Sequence, residues 1–96
     1  KDIVNQLKGK PVYFTLDLDV LDPSVFPGTG TPEAGGVSFQ ELLEAIIQVS
    51  HLNIVGFDVN ELSPVYDQSG SSTAMACKVL RELLIAVMKN RAEQTL

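Results

Sequence analysis

A single cysteine in 96 residues excludes an internal disulfide and any zinc site built on paired cysteines. That residue, Cys77, lies within an apolar helical pattern, and a buried cytosolic thiol is the expectation for it. Histidine is as scarce: His51 stands alone at what reads as a helix end, where it would meet the helix dipole or solvent and not a metal. No basic run and no aromatic-interleaved basic stripe is present to follow a phosphate backbone, and 12 acidic against 7 basic residues give a net charge of -5. Nucleic acid is not an expected partner. Apolar stretches stay strand-sized, broken by Asp17, Asp19 or glycine, well short of the roughly 20 residues that span a bilayer. With no basic-then-apolar leader ahead of them, the expectation is a soluble, cytoplasmic chain without a membrane partner. Repeats, low-complexity tracts and flexible linkers are also lacking, so nothing divides the chain further.

What is present has the composition of a compact globular chain, 45% hydrophobic and 20% charged with seven glycines. A chain this short buries only a limited core. Ile3, Val4 and Leu7 give a short helical pattern over residues 2–8 that Gly9 stops. Pro11 then opens Val12-Tyr13-Phe14-Thr15-Leu16, a β-branched and aromatic run. Its lack of alternation predicts a central parallel strand covered by helices on both faces. Residues 22–36 are dense in Pro and Gly and read as a long ordered loop. Ser38 with Glu41 forms a capping box for a helix whose apolar face is Leu42, Leu43, Ile46, Ile47 and Val49. A second apolar strand over 54–59, a loop from Ser63-Pro64 and a long amphipathic helix over 73–90 complete the chain. The order β-α-β-α implies parallel neighbours, near 12–18 and 53–59, joined by a right-handed crossover. Two strands with one helix after each cannot cover both faces of such a sheet, so the chain is expected to be a segment of a larger three-layer α/β/α domain.

Asp17 and Asp19 close the first strand two residues apart, which on strand alternation sends both side chains to one side of the sheet. Glu61 follows the second strand, and parallel strands end on one carboxyl edge, the usual ligand rim of open α/β sheets. Three carboxylates facing one cavity suit hard divalent cations, a cationic substrate, or both. The plainer reading is that Asp17, Asp19 and Asp22 only end the strand in Asx turns before Pro23. It accounts for Asp22 but not for Asp17, which directly follows an apolar strand where an unpaired charge is costly. A calcium EF-hand fails, because its required Gly and Glu positions hold Asp22 and Gly28. A dinucleotide fingerprint fails because Glu33 replaces its third glycine. A haloacid-dehalogenase-type phosphohydrolase, with Asp17 as nucleophile and Asp19 as acid/base, fits the opening TLDLDVL and stays open.

The match to another pattern runs well past the aspartates. The stretch TLDLDVLDPSVFPGTGTPEAGG, residues 15–36, resembles the signature of arginases and agmatinases. GFDVNELSPVYDQSGSSTAMACKVLRELL, residues 56–84, resembles the final strand, loop and helix of that ureohydrolase family, in the same order and spacing.

The resemblance implies specific roles. The family's first motif aspartate bridges two manganese ions and its second binds one of them; these positions are Asp17 and Asp19. Two ions roughly 3.5 to 4 Å apart lower the pKa of a bridging water, which then attacks a guanidinium carbon. The family's substrate-contacting glutamate falls at Glu61 and its loop threonine at Thr31. Glu33 and Ser63-Pro64-Val65-Tyr66-Asp67 look like agmatinases more than arginases, which makes agmatine, cleaved to putrescine and urea in polyamine biosynthesis, the expected substrate. Asn60 departs from the family, where a hydrophobic residue is more usual before the glutamate. Two further metal motifs, one with His after Gly-Gly-Asp and one reading Asp-Ala-His-x-Asp, and the proton donor for the leaving amine, are not in this chain. Residues 1–96 are therefore expected to be the carboxy-terminal part of one ureohydrolase domain. They would supply half of a two-manganese site, be inactive in isolation, and be completed by the rest of the domain within a trimeric or hexameric homo-oligomer. A non-catalytic assembly module is the alternative from a different class.

Overall fold

The computed structural model describes residues 2–95. Helix α1 (Asp2–Leu7), strand β1 (Pro11–Asp17), helix α2 (Phe39–Val49), strand β2 (Asn53–Asn60) and helix α3 (Ser71–Thr95) follow in that order. The two strands pair in parallel, with Phe14 opposite Phe57, Leu16 opposite Val59 and Asp17 opposite Asn60. Between Val12 and Tyr13 the register slips by one, leaving Val55 as an extra residue of β2.

One face of this sheet makes the core. Leu16 and Ile54 pack with Leu42 and Ile46 of α2 and with Val79, Leu83 and Val87 of α3, and Val4 and Leu7 of α1 lie against the same cluster. Phe26 and Leu21, from the connection after β1, are as deeply buried. Each such side chain contributes about 1.5–3 kcal/mol of burial. The opposite face is left without a helix, as expected of two strands with one helix after each. Among the described residues it carries an exposed Tyr13 and Thr15 whose hydroxyls bond to Asp58.

Helix α2 starts where the sequence signals it. Ser38 Oγ accepts from the Glu41 amide at 3.1 Å and Glu41 Oε1 accepts from the Ser38 amide at 2.9 Å, a reciprocal cap in which the Ser38 side chain alone is worth roughly 1 kcal/mol. At its far end His51 Nδ1 lies 2.9 Å from the Ile47 carbonyl and the ring stays exposed. Helix α3 is longer at both ends than the 73–90 pattern. Its first amides are capped from Asp67 and Ser69, and at its far end Arg91 donates to the Ile54 carbonyl of β2. Cys77 is exposed, contrary to expectation. Ala76, Val79, Leu83 and Val87 set the buried stripe of α3, and one residue on from Ala76 is about 100° around the helix. No helix among the described residues is long and apolar enough to cross a membrane.

Candidate active site

Strand β1 ends at Asp17, and Leu18–Val20 form a single 3-10 turn. Leu18 and Leu21 are both buried, 1% exposed, and this tucks the chain inward immediately after the strand. Asp19 therefore lies on the turn and not on the strand, so the alternation that was to align it with Asp17 does not apply. Its carboxylate is located by a different contact: Thr31 Oγ1 donates to Asp19 Oδ2 at 2.9 Å. Asp17 remains exposed at the strand end. Glu61, also exposed, is the first residue beyond β2, adjoining the Asn60 that pairs with Asp17. It adopts φ 77°, making it the non-glycine residue with positive φ among the described residues. A left-handed backbone at a residue with a Cβ costs about 1–3 kcal/mol and tends to occur where a side chain must be aimed.

The loop that carries Thr31 is fastened at its base and at its middle. At the base, Asp22 accepts from the Ser24 amide at 3.0 Å and the Gly35 amide at 3.1 Å, the Asx turn expected for it, and also from the Ser24 hydroxyl. These bonds, the Ser24 hydroxyl first, hold its carboxyl below the usual range. The Asp22 amide meets the Val37 carbonyl at 2.9 Å, and a Cβ on Gly36 would stand 2.6 Å from the Asp22 nitrogen, so only glycine closes the loop there. At the middle, the Gly28 amide donates to Ser72 Oγ at 2.8 Å and the Gly28 carbonyl accepts from the Ser63 amide at 2.7 Å. Asp67 in turn accepts from the Ser72 hydroxyl at 2.6 Å and the Ser72 amide at 2.8 Å. Bonds from Ser69 and then Ser72 bring the Asp67 carboxyl down to about 2, against a smaller opposing effect of burial.

A second polar network was not anticipated. Asp58 accepts from Thr15 Oγ1 at 2.6 Å, from the Tyr13 hydroxyl at 2.9 Å and from Asn60 Nδ2. The Thr15 bond, then that of Tyr13, holds the Asp58 carboxyl low, and the same bond raises the Tyr13 hydroxyl. The signal for it was alternation: Tyr13, Thr15 and Asp17 share one side of β1.

Asp17 and Asp19 offer hard carboxylate oxygens, and Asp19 keeps Oδ1 available beside its bond from Thr31. Such donors suit a hard dication in kind, though two fall short of the six or so that one requires. Among the described residues no three His, Cys, Asp or Glu side chains stand close enough together to hold an ion by themselves. A groove of about 280 Å³ lies elsewhere, between the later turns of α2 and α3, lined by Leu43, Ile47 and Ile85 among others.

Known proteins resemble this chain closely. The Arginase family profile matches residues 1–86. The agmatinase of Bacillus anthracis is 47% identical over 91 residues, which cover 93% of this chain and 31% of that protein. The mitochondrial guanidino acid hydrolase of Homo sapiens is 43% identical over 88 residues, covering 92% of this chain and 25% of its own length. The solved structure of the proclavaminate amidino hydrolase from Streptomyces clavuligerus superposes with a TM-score of 0.84 at 41% identity, over 93% of this chain and 30% of that one. The chain thus spans about a third or less of the relatives it matches.

Proposed function

This chain belongs to the arginase family, and from that premise we propose that it supplies one half of a two-manganese site that hydrolyses a guanidino substrate, agmatine first, to an amine and urea. As an arginase-like α/β hydrolase segment it has the fold for such chemistry. The observation that carries the finer reading is the contact between Thr31 and Asp19, beside a strand pair that puts Glu61 next to the end of Asp17's strand. These two observations support a reading in which substrate-side and cation-side groups belong to one edge of the sheet.

In this reading Asp17 and Asp19 hold the ions together with donors from outside residues 1–96, the rest of the same domain. When bound, the ions supply positive charge that lowers the pKa of water to about 7. Glu61 accepts paired N–H bonds from the planar guanidinium and fixes its carbon, and the Thr31 hydroxyl, already engaged with Asp19, orders the substrate side. Water oxygen bonds to that carbon, the bond from carbon to the alkyl-bearing nitrogen breaks, and the departing amine leaves protonated. The donor of that proton lies outside this chain, and these residues alone release no urea. The protein works in the cytoplasm as a homo-oligomer, a trimer or hexamer. Family membership decides against the phosphohydrolase reading of Asp17 and Asp19.

The relatives differ in substrate by name, so the test is a comparison. The full-length enzyme loaded with manganese is offered agmatine, arginine, a guanidino acid and a phosphate monoester. Urea from agmatine at the highest kcat/KM is expected. Urea fastest from another guanidine would move the substrate assignment, and phosphate release, or a metal-loaded protein releasing no urea, would overturn the activity.

A further inference from the structure

We propose that Asp67 and Ser72, at the start of α3, are positioning residues that set the separation of Thr31 and Glu61 by clamping Gly28. The proposal rests on the reading of Thr31 and Glu61 as substrate-side groups. Ser72 is fully buried, so water cannot replace its bonds. A hydroxyl has one proton, and Asp67 takes it at 2.6 Å. The Ser72 oxygen is thereby left only as an acceptor, and it accepts the Gly28 amide at 2.8 Å. The carboxylate of Asp67 thus dictates the direction of the whole chain of bonds.

The other side of Gly28 is held as well. Its carbonyl accepts from the Ser63 amide at 2.7 Å, two residues beyond Glu61. Glycine is required for this approach: a Cβ there would stand 2.6 Å from Ser72 Cβ and 3.2 Å from Asp67 Cβ. Both peptide groups of Gly28 are therefore fastened to the segment that runs from Glu61 into α3. Thr31 lies three residues past this anchor and contacts Asp19. Loosening the clamp frees the loop at its middle while the Asp22 base remains.

Ser69 provides the control, because its hydroxyl donates to Asp67 Oδ1 at 2.5 Å and caps the Ser71 amide but does not touch the loop. In the full-length manganese enzyme, Ser72→Ala should raise KM for agmatine about fivefold or more, the effect of an orphaned buried amide, and the near-isosteric Asp67→Asn, whose neutral carbonyl holds the Ser72 hydroxyl more weakly than a carboxylate, should raise it in the same direction. The change in kcat should be smaller and manganese content unchanged. Ser69→Ala should lower Tm and leave KM within about twofold, because it removes a solvent-accessible cap and one bond to the Asp67 oxygen that does not hold Ser72. Amide hydrogen exchange over residues 28–31 should be faster in Ser72→Ala and Asp67→Asn than in Ser69→Ala. Unchanged KM in both clamp variants, with exchange as slow as in the control, would overturn the proposal. If the wild type releases no urea, the functional reading falls by itself and the exchange comparison decides the clamp: faster exchange supports it, equal exchange overturns it.

Discussion

At Glu61 the backbone and the side chain make opposite contributions to the molecule. Its φ of 77° is unfavourable for any residue with a Cβ, and glycine would adopt it freely. Glu61→Gly should therefore be more stable than Glu61→Ala by about 1 kcal/mol in chemical denaturation, although both variants lose turnover. Equal stabilities would mean the conformation carries no strain. Glu61→Gln keeps shape and backbone while removing charge. It should leave manganese content unchanged and lower kcat/KM about 10- to 1000-fold, because charge-assisted bonds to the guanidinium are lost. Loss of metal in that variant would make Glu61 a ligand instead. The sequence announced Asp22 as a turn former because an aspartate directly before Pro23 favours an Asx turn. The positive φ of Glu61 was not legible, since it is imposed by the chain leaving β2 and returning to Gly28 and carries no local signature.

Among the elements, α3 shows what local pattern carries and what it misses. Its apolar spacing identified the helix and most of its buried stripe, and Leu83→Ala should cost about 2–5 kcal/mol in unfolding free energy at that fully buried site. Its start was hidden because the capping groups stand at Asp67 and Ser69, ahead of the helix. By contrast Ser38 and Glu41 spell out the start of α2 within four residues. The Asp67 cap has a pH signature. Its carboxyl is at about 2 in the fold against 3.8 for the unperturbed group. A folded value below the unfolded one means that the ionised form favours the fold above about pH 3.8, and that this contribution disappears as pH falls toward about 2. Thermal melts at about pH 5 and about pH 2.5 should show the wild type losing its advantage over Asp67→Asn across that interval. A constant difference between the two proteins would contradict this. The two strands were legible as apolar runs, but the 3-10 turn after Asp17 was not. It follows from burying Leu18 and Leu21 together, a tertiary demand that overrides the alternation of Asp17 and Asp19.

On the scale of the molecule, one face of a two-stranded parallel sheet is covered by α2 and α3, and the other presents Tyr13, Thr15 and the Asp58 network. A parallel sheet is ordinarily buried on both faces, and the matched relatives are about three times as long as the matched segment. Both facts suit a site whose remaining donors come from elsewhere in the same domain. Family resemblance supplied the assignment of roles, whereas spacing alone excluded a calcium EF-hand but left phosphohydrolase and turn-forming readings of the aspartates open. The most direct measurement is of metal and turnover together, in the full-length enzyme and in its Asp17→Asn variant, by elemental analysis and urea release from agmatine. The account predicts two manganese ions per wild-type protomer. For the variant it predicts loss of bound metal and a fall in turnover of at least about a hundredfold, since a neutral amide neither balances nor bridges hard dications. A variant that kept both its metal and its rate would contradict the placement of the site at the end of β1.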